Sequence, residues 1–270
     1  MDLGLAGRSC VVTGAGRGIG RATARLLCEA GAMVLLVART ADEIEAAAAE
    51  CGRAGAAAHG RATHLAADVT GADAATAIVT EAEDRFGSLD AIVNAAGQSR
   101  VRDLDDIPEA AWYEAWELNV MAPMRLMREG IPRMADRGWG RVVNVCSSAG
   151  KRPSANMGEY SVAKAAELSL SRLYADRWAK SGILVNAVCP GPVKSEMWMQ
   201  PGGLLDQSVE LRGEADRDAA LESVASGRPI GRLAEVEEIA SVIAFLCSER
   251  ASYVAGAAWG ADGGTVQVII

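Results

Sequence analysis

Residues 11–27 read "VVTGAGRGIGRATARLL", a β-branched run that passes through glycines straight into a segment of helical composition. A strand joined to a helix by so short a turn leaves the backbone few choices. Glycines at 14, 18 and 20 permit a tight turn, close approach of the main chain to an anion, and close helix–strand packing. The helix start then offers unpaired N–H groups and the positive end of a dipole. The spacing is GxxxGxG and departs from the strict GxGxxG pattern, so the turn predicts a nucleotide phosphate without naming the nucleotide.

The same strand–helix rhythm continues along the chain. Further strands are expected at "MVLLVA", "THLAADV", "AIVNAAG", "RVVNVCS" and "ILVNAVCP", with a last one near "AAWGADGG". Between them lie helical stretches such as "ADEIEAAAAECGRAG", "DAATAIVTEAEDRFG" and "AAELSLSRLYADRWAKSG", several closing on Gly as helix ends do. Continuous apolar runs suit strands buried on both faces, and their alternation with helices implies right-handed βαβ units. The expected fold is α/β, a doubly wound parallel sheet of seven strands. A chain of 270 residues, half of them apolar, suits one domain spanning 1–270 better than two small ones. The rhythm breaks at about 195–229, from "SEMWMQPGG" to "SGRP", where the chain turns irregular and charged. A segment this long is either disordered or a lid. It follows a strand's carboxyl end, where open α/β sheets bind ligands, which favours a substrate lid.

Several function classes lack support. With 27 basic against 35 acidic residues the net charge is −8 and no basic run occurs, so neither nucleic acid nor a membrane surface is an expected partner. No uninterrupted apolar run could span a bilayer, and the opening "MDLGLAGRSCVVTG" has no basic start followed by an apolar core. Six scattered cysteines without a CxxC pair read as small hydrophobes in a reducing cytoplasm, and His59 and His64 have no companion ligands, so no metal is expected.

Two further stretches carry chemistry. The second strand ends at Ala38 followed by Arg39, where an Asp or Glu would accept from both ribose hydroxyls and repel a 2′-phosphate. A neutral residue with Arg39, and Arg17 in the glycine turn, favours NADP(H) over NAD(H), since guanidinium holds phosphate bidentately; both arginines as solvated surface groups is the alternative. In "GEYSVAKAAE", Tyr160 and Lys164 lie four apart and share a helix face. An ammonium beside a phenol is expected to lower its pKa from about 10, so that it trades a proton near neutral pH.

Taken with "DV" (68–69), "NAAG" (94–97), the Asn of "ELNV", "NVCSSAG" (144–150) and "PGPVKS" (190–195), these motifs resemble the short-chain dehydrogenase/reductase family in its single-domain form, over nearly the whole chain. "TGAGRGIG" and "YSVAK" are similar to those of 3-oxoacyl reductases, sugar-alcohol dehydrogenases and related carbonyl reductases. The resemblance implies a catalytic tetrad of Asn119, Ser147, Tyr160 and Lys164. Of two adjacent serines, Ser147 keeps the family's spacing to Tyr160 and Gly150, with Ser148 the lesser candidate. It further implies cofactor contacts from Gly14, Gly18, Ile19 and Gly20 of the turn, and from Asp68 and Val69 at the adenine. Asn94 and Gly97 would line the cleft, Pro190 and Gly191 would follow, and Val193 and Ser195 would hold the carboxamide; many members have Thr in place of Ser195.

The implied roles fit elementary chemistry. Ser147 can hydrogen-bond a carbonyl oxygen where negative charge develops, Tyr160 can deliver or remove the proton, and Lys164 can tune the Tyr and bind ribose. Asn119 would hold a water linking Lys164 to solvent. The expected function is interconversion of a carbonyl and a secondary alcohol on a small molecule with NADP(H), or with NAD(H). A redox-silent nucleotide binder is the other class, and an acyl-carrier substrate lacks a basic docking patch. Substrate contacts are expected from Gln98, Ser99, Arg100, Lys151, Arg152 and Met157, and from a Met197–Trp198–Met199 wall. Arg100 or Arg152 could meet an acidic substrate group, or simply be solvated. The family commonly forms tetramers through helices around 104–135 and 158–181 and the last strand, so a homotetramer is expected, with "TVQVII" covering a neighbour or fraying.

Overall fold

The computed structural model describes residues 2–267. Seven strands, β1 (Ser9–Thr13), β2 (Met33–Ala38), β3 (Arg61–Ala66), β4 (Ala91–Asn94), β5 (Gly140–Val145), β6 (Ile183–Pro190) and β7 (Ala258–Ala261), form one parallel sheet in the order β3-β2-β1-β4-β5-β6-β7. The expected architecture is therefore present. Successive side chains point to opposite faces and both faces are covered, which explains why the runs contain so few polar residues. Cys10, Val12, Val34 and Leu36 point into a core shared with α1 (Gly18–Glu29), α2 (Ala41–Gly55) and α10 (Val236–Leu246). Val11, Leu35, Val37 and Ile92 point the other way, onto α3 (Ala74–Phe86) and α5 (Ala122–Ala135). Leu35, Leu36 and Ile92 are fully buried, each stabilising the fold by about 1.5–3 kcal/mol relative to exposure.

The strand order runs outward in opposite directions from β1 and β4, and a crevice opens at that switch point beyond the strands' carboxyl ends. The glycine turn follows β1 on one side and "NAAG" follows β4 on the other. Thr13 fixes their separation, its Oγ1 accepting from the N–H groups of Ala95 and Ala96 at 3.1 and 3.2 Å.

Two segments differ from expectation. The stretch at about 195–229 is largely helical, as α7 (Glu196–Met199), α8 (Leu204–Arg212) and α9 (Arg217–Ser226). The helical region expected around 104–135 is α4 (Glu109–Trp116) and α5, separated by a π-helical turn over Glu117–Met121. The long helix α6 (Gly158–Trp178) follows β5 and carries Tyr160 and Lys164. No helix among the described residues is long and apolar enough to cross a membrane. All six cysteines are buried free thiols, and no cluster of three or more metal-ligating side chains occurs among the described residues.

Candidate active site

A cavity of about 1440 Å³ occupies the crevice, larger than the roughly 300–1,000 Å³ of a drug-sized site and so able to hold a dinucleotide with a second small molecule. At one end lies the glycine turn. Gly14 has φ +66°, and a Cβ there would come 2.7 Å from the Ala96 Cα; one on Gly20 would come 2.4 Å from the Gly14 carbonyl oxygen. The first turn of α1 has no acidic residue and no side-chain cap, leaving its N–H groups open to an anion. These features fit a pyrophosphate. Gly14, Gly18, Ile19 and Gly20 all line the cavity.

Arg39 lines the cavity further along, is exposed, and has no carboxylate within ion-pair distance among the described residues. Arg17 lines the same end, but its guanidinium donates to Gln200 Oε1 at 3.0 Å, tying the turn to the segment after α7. Asp68 and Val69 line the wall; the Asp68 carboxyl accepts from the Thr70 N–H and hydroxyl, which holds its pKa below the usual carboxylate value. Glu43, which sequence reasoning overlooked, stands beside Gly16 at this end.

At the inner end, Ser147 begins a 3-10 turn and its Oγ accepts from the Ala149 N–H at 3.1 Å. The Ser147 side chain acts on the Tyr160 phenol, favouring its ionised form, whereas Ser148 is buried. Lys164 is 2% exposed, and its Nζ lies 5.7 Å from the Tyr160 ring centre. That ammonium donates to the Val145 carbonyl at 2.8 Å and to Glu167 Oε2 at 2.7 Å, and Glu167 is 1% exposed. Burial alone would push the Lys164 pKa down, but the Glu167 carboxylate outweighs it and holds the ammonium charged.

The expectation for Tyr160 needs correction. Burial raises its pKa, and the opposing pull of Lys164 does not overcome it. The physical reason is first the loss of water around the phenol, and the negative charge of Glu167, paired with Lys164, adds a smaller push in the same direction. Glu167 was overlooked because a Glu in an Ala-rich helix reads as solvated. The helical spacing held the signal, since positions 160, 164, 167 and 171 fall on one face.

Asn119 sits in the π-helical turn, a common mark of functional helices. Its Nδ2 donates to the Ala115 carbonyl at 2.9 Å, while its Oδ1 is buried without a hydrogen-bond partner. A Cβ on Gly97 would lie 3.3 Å from that oxygen and 3.8 Å from Lys164 Nζ, so the three groups meet beside one another. Asn94 lies below the cavity floor, donating to Asn144 Oδ1 at 2.7 Å, while Asn144 donates to Ser171 Oγ at 2.7 Å. Gly97 itself lines the cavity, as do Pro190, Gly191, Val193 and Ser195. Cys146 is no nucleophile, since burial pushes its thiol well above the ordinary value.

The remaining wall collects the expected substrate contacts. Gln98, Ser99, Arg100, Arg152 and Met157 line it, with Met197 and Trp198 from α7. Lys151 instead donates to the Ala258 carbonyl at 2.6 Å, and the Met199 carbonyl accepts from Arg217.

This geometry has close counterparts. A family model described as short chain dehydrogenase matches residues 8–202. Cis-4-hydroxycyclohexanecarboxylate dehydrogenase of Sinomonas cyclohexanicum is 39% identical over 99% of this chain and 100% of its own. The short-chain reductase protein NovJ of Streptomyces niveus is 35% identical over 94% of this chain and 92% of its own. L-Sorbose reductase from Gluconobacter frateurii, solved with NADPH and L-sorbose, superposes with a TM-score of 0.91 at 34% identity, each chain fully covered.

Proposed function

The chain belongs to the short-chain dehydrogenase family and is an oxidoreductase acting on CH–OH groups; from that premise we propose that it interconverts a small-molecule carbonyl and a secondary alcohol with NADP(H), Tyr160 serving as the acid/base. The observation that carries the reading is the meeting of Ser147, Tyr160 and Lys164 at the inner end of a cavity whose outer end is a glycine turn. A bound nicotinamide supplies or takes up the hydride. The protein does the rest. Ser147 donates to the carbonyl oxygen where charge develops, and Tyr160 passes its proton to that oxygen in reduction or accepts it back in oxidation. Lys164, held charged by Glu167, keeps its ammonium beside the phenol and would bind the ribose, and the free Asn119 Oδ1 would orient a water that renews the proton. Val193 and Ser195 would hold the carboxamide, Asn94 supports the cleft from beneath, and α7 to α9 serve as the lid.

NADP(H) is favoured over NAD(H) because Arg39 is an uncommitted guanidinium beyond β2, and the similar L-sorbose reductase was solved with NADPH. Exposed Tyr113 and Trp116 on α4 and Val162 and Leu173 on α6 support a homotetramer built on these helices. The last three residues of "TVQVII" lie outside the described residues. Buried free thiols support a reducing compartment such as the cytoplasm. The test is NADPH and NADH oxidation over a panel of ketones, sugars and oxo acids. Tyr160→Phe should lower kcat about 10²–10⁴-fold; turnover undiminished in that variant refutes the assignment.

A further inference from the structure

Three guanidiniums on the substrate wall have no counter-charge. Arg152 comes from the loop between β5 and α6, Arg212 from the end of α8, and Arg228 from just beyond α9, and all three line the cavity that holds Ser147 and Tyr160. Among the described residues no carboxylate lies within ion-pair distance of any of them. Their neighbours behave differently: Arg102 faces Glu159, Arg217 faces Asp206, and Arg232 faces Glu238.

Arg228 feels the other two. The Arg228 pKa is lowered by burial first, then by the charges of Arg212 and Arg152. Its Nε is buried with no hydrogen-bond partner. Other contacts are main-chain carbonyls: Arg228 donates to Val224, and Arg152 to Thr265 at 3.2 Å. Capping of α8 and α9 would account for a cation at each helix end. It does not account for Arg152 arriving from a third segment, nor for a buried donor left unmatched. An anion in the cavity would satisfy both.

We propose that Arg152, Arg212 and Arg228 form an anion subsite, so that the substrate carries a carboxylate or phosphate at one end and the reacting carbonyl or alcohol at the other. This rests on the oxidoreductase reading above and names its substrate class. The guanidinium fork matches either oxyanion bidentately, at a cost in mutual repulsion that the bound anion relieves.

The test uses the full chain saturated with NADP⁺ and reads ligand binding by calorimetry. One arm compares 4-oxopentanoate, 5-oxohexanoate and 6-oxoheptanoate with their methyl esters; the other compares hydroxyacetone phosphate with hydroxyacetone. In at least one pair the anion should bind 10- to 100-fold more tightly, the scale of one or two charge-assisted hydrogen bonds. The ratio should fall with added salt. Arg152→Gln and Arg228→Gln should each reduce that ratio at least tenfold. Arg228→Lys should retain charge but lose part of the preference, with thermal unfolding confirming an intact fold. Equal or absent binding of anion and neutral partner in every pair overturns the proposal, as does a preference untouched by the substitutions. Neutral ketones reduced with dependence on Tyr160 but without anion preference would leave the oxidoreductase reading standing. Anion preference without turnover dependent on Tyr160 would sink that reading and keep the subsite.

Discussion

Glu167→Gln isolates the one ionic contact on which the site's geometry depends. Lys164 and Glu167 are 2% and 1% exposed and meet at 2.7 Å. Neutralising Glu167 leaves a buried ammonium with the Val145 carbonyl as its protein partner among the described residues. Removing one member of such a pair costs about 3–5 kcal/mol, because the remaining charge stays desolvated. An exposed pair contributes about 0–1 kcal/mol, so Arg172→Ala, breaking the Arg172–Asp176 pair at 61% and 56% side-chain exposure, is the natural control. At roughly 2–4 °C per kcal/mol for a chain of this size, Glu167→Gln should lower Tm by about 10 °C and Arg172→Ala by about 2 °C. Replacing both partners by apolar residues, Lys164→Met with Glu167→Leu, removes the stranded charge and should recover most of the loss while abolishing turnover. The assay is urea unfolding followed by tryptophan fluorescence at one fixed protein concentration, so that subunit association does not move the midpoint. A Glu167→Gln loss under 1 kcal/mol, or a double variant as unstable as the sum of its parts, would refute the argument.

Other outcomes follow from the same geometry. Because the Tyr160 pKa is raised, the phenol stays protonated through neutral pH; carbonyl reduction should be level there and fall on the alkaline side, while alcohol oxidation should climb with alkalinity, as paired pH–rate profiles will report. Arg39→Asp should raise the KM for NADPH at least tenfold and that for NADH far less, measured at reduced-nicotinamide absorbance. Gly20→Ala should abolish dinucleotide binding in calorimetry, since its Cβ would sit 2.4 Å from the Gly14 carbonyl oxygen. Glu238, whose pKa is held to about 2 chiefly by Arg232, adds stability at pH above 4.5 and should lose that contribution as pH falls from there towards 2; being exposed, it should make little difference to an acid unfolding curve beside Glu238→Gln.

The sheet and its phosphate turn were readable because both faces of the central strands are buried, which forces unbroken apolar runs such as "MVLLVA". The Tyr–Lys pair was readable because four residues bring a helix back to the same face. Other features left weaker traces. The helices α8 and α9 bury few residues, Leu204, Leu205 and Ser208 in one and Ala220 and Val224 in the other, so their apolar stripe is too thin to emerge from a charged background. Arg212 and Arg228 were hidden in that background too, for convergence from separate segments has no signature along the chain. Glu167 was missed for the opposite reason: a buried carboxylate looks like a surface one until its partner is located.

The π-helical turn at Glu117–Met121 bears on how such a chain can diverge. Each residue added to or removed from a helix rotates everything beyond it by roughly 100°. Loss of one residue between Ala115 and Asn119 would carry the Asn119 amide away from Gly97 and Lys164, though every side chain in the site remained. Substitution of the turn's partly exposed side chains leaves the position of Asn119 in place, while a single-codon deletion there would disarm the site at once. The site rests on the spacing of this segment as much as on the letters that fill it.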